Sequence, residues 1–138
     1  MHDTQASGNF FTGTLPAGLV WRDIDRFLEH LDDILFLFDR EGVCLACCTR
    51  TPELLFAPTE QFIGRRMEDY LTPELAVSVR ERLIAHLRGQ SLPPLSYAAP
   101  DRKSWYELDF IALPGSPDYP LARIQHVTEQ RLFAQVLS

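Results

Sequence analysis

The stretch ILFLFDREGVCLACC, residues 34–48, holds two short apolar runs separated by Asp39-Arg40-Glu41-Gly42. Each run is too short to stand as an independent helix and is rich in residues that suit a pleated strand. The four residues between them favour a turn, and Gly42 is free to take a positive φ there. The stretch therefore predicts an antiparallel hairpin, the seed of a sheet.

N-terminal to the hairpin, Ile24, Phe27, Leu28, Leu31, Ile34 and Leu35 recur at spacings of three and four. That pattern predicts a helix over about Asp23 to Asp33 with one apolar stripe. Residues 1 to about 15, rich in Gly, Ser, Thr and Asn, read as a loose arm. C-terminal to the hairpin, Thr51-Pro52-Glu53, Pro58-Thr59-Glu60 and Thr72-Pro73-Glu74 each resemble a helix start. In the first and third a Thr hydroxyl can cap, Pro suits the first helical position and Glu favours the positive dipole end. Gly64 is placed to end the second of these helices, and the third opens the longest, about residues 73 to 88. Its stripe is Leu75, Val79, Leu83 and Leu87, widened by Ile84, with Arg80, Glu81, Arg82 and Arg88 mainly exposed.

Three strands should complete the sheet: LSYAA after Pro93-Pro94, SWYELDFIAL, and LARIQHV after the turn-rich PGSPDYP. In the second, Tyr106, Leu108 and Phe110 alternate with Glu107 and Asp109. Thr128 then suits the N-cap of a last helix with Leu132, Phe133, Val136 and Leu137 on one face. The expected fold class is α+β, a five-stranded antiparallel sheet with helices on one face, a flanking helix before it and an exit helix after it. The expected division is an arm and helix start over 1–22, a domain over 23–127 and an output helix from 128 to 138.

A chain of 138 residues, 46% hydrophobic and 23% charged, suits one domain that needs neither disulfides nor metals. A net charge of −6 opposes nucleic acid and anionic membrane surfaces as partners. The longest apolar runs fall far short of the roughly 20 residues of a membrane span. The N-terminal MHDTQASGNFF has neither the basic nor the apolar region of a secretory leader, which leaves the cytoplasm as the expected compartment. Three cysteines within five residues, Cys44, Cys47 and Cys48, make a poor disulfide framework and fit a reducing environment.

The order of elements, with FLFDREGVCLA, PELLFAPTEQFIGRRMEDYLTPEL, SWYELDFIAL and HVTEQRLF in sequence, resembles a PAS domain over about residues 24 to 138. HVTEQRLF is similar to the Asp-Ile-Thr-Glu signature with which many PAS domains pass into an output helix, with His126 in the place of the Asp. The resemblance implies a sensory input domain rather than an enzyme. A pocket between sheet and long helix would bind a small organic ligand, and His126, Thr128 and Glu129 would relay its state. It also implies an effector in cis, of histidine kinase or diguanylate cyclase type, in a longer protein from which this chain could be excised or truncated. Homodimerisation through the flanking helix would use Ile24, Phe27, Leu28 and Leu31. The same stripe serves equally to pack the helix back on its own sheet, and both readings stay open.

Pocket candidates are Leu37, Cys47, Met67, Tyr70, Val79, Leu83, Tyr97, Tyr106, Leu108 and Phe110, with His86 and Arg123 as further polar groups. Known cofactors find weak support. Met67 stands where the light-sensing flavin branch needs a reactive Cys, and Asn9 is the one Asn of the chain, so covalent flavin photochemistry is disfavoured. Arg80 stands near the place of the haem-ligating His, with His86 later on the same helix, so haem is disfavoured too. Cys44 and Cys47 form a C-x-x-C in a predicted strand, where side chains three apart point to opposite faces, a weak metal signal. Cys48 is either core or a thiol at the pocket mouth.

Two other function classes compete. An enzyme finds no phosphate loop, nucleophile elbow or zinc-binding helix in the sequence, and Glu107 and Asp109 on one strand face read as solvated. A ligand-free PAS interaction module of a transcription regulator is the alternative reading, supported by the bulk of Phe36, Phe38, Phe56, Phe62 and Phe110.

Overall fold

The computed structural model describes residues 10–52, 55, 58–98 and 104–127. The strands are β1 (Phe10–Gly13), β2 (Ile34–Phe38), β3 (Cys44–Thr49), β4 (Leu95–Ala98), β5 (Trp105–Ile111) and β6 (Leu121–Val127). They form one antiparallel sheet in the order β1-β3-β2-β6-β5-β4. The helices are α1 (Trp21–Asp25) and α2 (Pro73–Leu87), with short 3-10 turns at Thr59–Gln61 and Met67–Asp69.

The predicted hairpin is β2 and β3. All five residues of β2 are buried, because each sheet face is covered by a different part of the chain. On one face Ile34, Phe36 and Phe38 join Leu108, Phe62, Met67, Val79 and Leu83 under α2 and the 3-10 turns. On the other face Leu35 and Leu37 join Ile24, Leu28, Ala46, Cys48, Leu113 and Leu121. A strand with water on neither side needs no polar alternation, hence the unbroken apolar run.

The sheet has six strands, one more than expected, because residues 10–13 pair with β3 rather than lying in a loose arm. Gly13 makes this possible: at φ +104 its missing side chain leaves room for the Leu45 backbone. The flanking helix is shorter than expected, Trp21–Asp25 in place of Asp23 to Asp33. The buried Asp33 carboxylate ends it, since Asp33 Oδ2 accepts from the N–H groups of Glu29 (2.8 Å) and His30 (2.9 Å). Those donors would otherwise continue the helical ladder. The segment still delivers Ile24 and Leu28 to the sheet, while Leu31 stands 69% exposed.

A bulge separates Leu37 from Phe38 in register: Leu37 faces Ala46, and Phe38 faces Cys44, so Leu45 is the extra residue. This corrects the expectation that Cys44 and Cys47 point to opposite faces. The bulge turns both into the α2-side core, with Ala46 and Cys48 on the other side.

Helix α2 follows the sequence closely. Thr72 Oγ1 accepts from the Leu75 N–H at 3.4 Å, Pro73 opens the helix, and Val79 and Leu83 are buried. Ile84, expected to widen the stripe, is 40% exposed. Arg80, expected to be exposed, is instead a clamp. It donates from Nε and Nη2 to the Glu68 carboxylate (2.8 and 2.7 Å) and from Nη1 to the Glu41 carbonyl (2.8 Å). The guanidinium holds the Glu68 carboxyl below its usual range. It passes over Gly42, whose φ is +87 and where a Cβ would come within 2.7 Å of it.

Gly42→Ala should therefore lower stability by about 1–2 kcal/mol from backbone conformation alone, read by urea or thermal unfolding. In an Arg80→Ala background the same change should cost less, because the steric part of its effect is gone. Equal costs in both backgrounds would show that the guanidinium yields freely. Burial pushes the Cys44 and Cys48 thiols up to about 12, and Cys47 is pushed up as well. Ellman's reagent at pH 8 should thus leave all three untouched in the folded chain and titrate them after denaturation. Rapid native-state reaction of any one would contradict its burial.

Candidate functional site

The alternation of β2, β5 and β6 aims Ile34, Phe36, Phe38, Tyr106, Leu108, Ala122 and Ile124 at the same side of the sheet. These residues do not meet α2 everywhere. Between sheet and helix lies a cavity of about 520 Å³, closed further by Tyr97 and Ala98 of β4 and by Leu55, Phe62, Tyr70, Leu71, Thr72, Glu74, Leu75 and Val79. Its volume suits a small organic molecule.

Aromatic rings brace its walls. Phe62 meets Phe36 edge-on at 5.5 Å between centroids and Tyr70 at 5.0 Å. Tyr97 and Tyr106, directly paired across β4 and β5, stack at 5.8 Å. The Tyr70 hydroxyl is buried with no hydrogen-bond partner among the described residues, and burial pushes its pKa up. The Tyr97 hydroxyl is pushed up by burial too, reinforced by Tyr106. Both stay protonated donors at any physiological pH. Among the described lining residues, the charged side chain is Glu74.

Of the residues singled out from sequence, Tyr70, Val79, Tyr97, Tyr106 and Leu108 line this cavity. Cys47, Met67 and Leu83 lie in the surrounding core, off the cavity wall, as does Phe110, which packs against Phe38 and His86. Leu37 is on the opposite face, because alternation along β2 gives the inner side to Phe36 and Phe38. Cys48 is buried on that opposite face and so is not at the cavity mouth. Ile34, Leu55, Leu71, Thr72, Glu74, Leu75, Ala98, Ala122 and Ile124 were not singled out. Alternation in LARIQHV could have found Ala122 and Ile124, which pair with Phe110 and Leu108. Phe56, Thr128, Glu129 and the predicted exit helix lie outside the described residues.

Met67 is fully buried in the core, and Arg80 is held by Glu68. His86 is half-buried against Phe110, off the cavity wall, and burial pushes its pKa down.

A second polar grouping lies where the flanking segment meets β6. Arg123 is on the outer face, 3.2 Å from Glu29 and 3.4 Å from Asp109. Burial raises the Asp109 pKa, and Arg123 opposes that rise. Gln125 Nε2 reaches Glu29 Oε1 at 3.2 Å and the buried Asp33 Oδ2 at 3.4 Å. Glu29, His30 and Asp33 thus bring ligand-type atoms within 4.8 Å of one another, but Arg123 and Gln125 already engage the group. His126 stands on the cavity side, opposite Tyr106 in the ladder, with rings 5.4 Å apart. Its Nδ1 is 3.5 Å from Asp32 of the flanking segment. A continuous row therefore runs Tyr97, Tyr106, His126, Asp32, from the cavity wall to the end of β6. Among the described residues, no helix is long and apolar enough to cross a membrane.

A family model described as a PAS fold matches residues 28–132. Among solved structures, the PAS domain of the quorum-sensing receptor RpfR from Cronobacter turicensis, in complex with BDSF, aligns with a TM-score of 0.56 and 12% identity. The alignment covers 73% of this chain and 99% of that one, and the same domain in complex with C12:0 gives the same figures. A C-terminal domain from Streptococcus mutans aligns with a TM-score of 0.54 and 15% identity, over 91% of this chain and 97% of that one. No curated protein matches the chain. Identities this low carry the fold alone. The family match, which runs from the flanking segment through the whole hairpin, α2 and the last three strands, shows that the chain belongs to the PAS family, as a sensory domain.

Proposed function

We propose that this domain binds a small organic molecule in the cavity and relays its presence through Tyr106 and His126 to the segment after Val127. The observation that carries the reading is the cavity itself, about 520 Å³ behind an aromatic wall. A core filled by its phenylalanines would leave no such space, which weighs against the ligand-free interaction module. The similar RpfR domain was solved with BDSF and with C12:0, and a comparable occupant fits a cavity of this size and apolar lining. The row from Tyr106 through His126 to Asp32 supports the relay, since a molecule touching Tyr106 lies one side chain from the contact that ties β6 to the flanking segment.

On this reading the chain is a regulatory input domain without catalysis of its own, working in the cytoplasm with an effector of kinase or cyclase type. Three cysteines buried as free thiols suit that reducing compartment. A homodimer would draw on Val20 and Leu31, which are 58% and 69% exposed, because Ile24 and Leu28 serve the chain's own core.

Native mass spectrometry of the purified chain should show a mass above the bare chain that disappears under denaturing conditions. An Ala122→Phe variant, which fills the cavity, should fold and lose that extra mass. Retention of the extra mass by this variant would place the binding elsewhere. For the relay, ligand addition should change hydrogen exchange in residues 128–138 of the wild type. In His126→Ala that change should shrink while affinity stays within about twofold; an undiminished change would remove His126 from the path.

A further inference from the structure

Resting on the cavity reading, we infer that the ligand is an amphipathic amine, with an apolar body among the aromatic rings and a protonated nitrogen at the Glu74 end. The charge on the wall points this way. Among the described lining residues there is one charged side chain, the Glu74 carboxylate, and no Lys, Arg or His. An acidic ligand would meet the Glu74 carboxylate and, among the described lining residues, no cation.

The N-terminus of α2 also lies on this wall, through Thr72 and Glu74, and a helix N-terminus by itself favours an anion. Here that preference is reversed. The macrodipole amounts to roughly half a positive charge, whereas Glu74 brings a full negative charge within the same turn. Backbone donors at the start of the helix are few as well. Pro73 has no N–H, the Leu75 N–H goes to Thr72 Oγ1, and the Ala76 N–H goes to the Thr72 carbonyl. At this end the exposed Glu74 carboxylate sets the sign of the charge at the cavity rim, and the Leu75 and Ala76 N–H groups are already engaged.

The aromatic lining adds to the preference. Tyr97 and Tyr106 stack on each other on this wall, and aromatic rings of this kind attract an ammonium group where a face is reached. The net charge of −6 favours the approach of a cation over that of an anion.

A matched series with one chain length isolates the head group: n-octylammonium, 1-octanol and octanoate, each titrated by ligand-observed NMR at pH 7. The expected order is octylammonium tightest and octanoate weakest, with the two ends separated on the order of tenfold. Glu74→Gln should collapse the amine's advantage over the alcohol. Glu81→Gln, an exposed change on the same helix with the same effect on net charge, should leave it intact. Equal binding of all three, octanoate as the tightest, or a ranking that survives Glu74→Gln would overturn the amine assignment while leaving the cavity reading in place. Binding of none of the three, or binding unchanged by Ala122→Phe, would overturn both.

Discussion

Burial of Ile34–Phe38 on both faces is the constraint from which the rest of the architecture follows. Five consecutive apolar side chains, each worth about 1.5–3 kcal/mol when withdrawn from water, cannot be satisfied by a single covering layer. The chain meets the demand with two. Helix α2 and the 3-10 turns cover Phe36 and Phe38, and the segment around α1 covers Leu35 and Leu37. The bulge at Leu45 adapts the neighbouring strand to both layers, setting Cys44 and Cys47 inward and Ala46 and Cys48 outward.

The two layers differ in how they treat charge. The outer layer is stitched by Glu29, Arg123, Asp109 and Gln125, with Asp33 buried among them as a backbone cap. The inner layer keeps its strongest ion pair, Arg80 with Glu68, off the cavity wall. The described lining of the cavity is apolar apart from tyrosine hydroxyls, Thr72 and Glu74. Outer stitching also brings the flanking segment to the end of β6, where His126 meets Asp32. An event at the inner wall and a change at the strand's exit are thus separated by two side chains rather than by the width of the domain.

Much of this was legible in the residues. The hairpin, α2 with its Thr72 cap, and the last three strands fall where periodicity and turn chemistry put them, because each carries its signal within a few neighbouring residues. Strand β1 was not legible: Phe10–Gly13 is too short for a pattern, and its partner Cys48 lies far along the chain. The flanking helix was read too long, since spacings of three and four also fit a path of short turns, and the carboxylate that ends it acts from Asp33. Alternation put Tyr106 and Leu108 on the side of β5 that lines the cavity. It could not tell which face of the doubly buried β2 looks inward, so Leu37 was taken for a lining residue.

By itself, the sequence determined the hairpin, α2 and the last three strands, the α+β class, the family and the apolar, aromatic character of the cavity, because local preference and pattern report on burial and on backbone geometry. Tertiary structure decided the sixth strand, the inward turn of Cys44 and Cys47, the clamp made by Arg80, and the placing of Glu74 on the cavity wall. Each of these depends on contacts between residues distant in sequence, whose free energy is set by how two surfaces meet and leaves no mark on either segment alone.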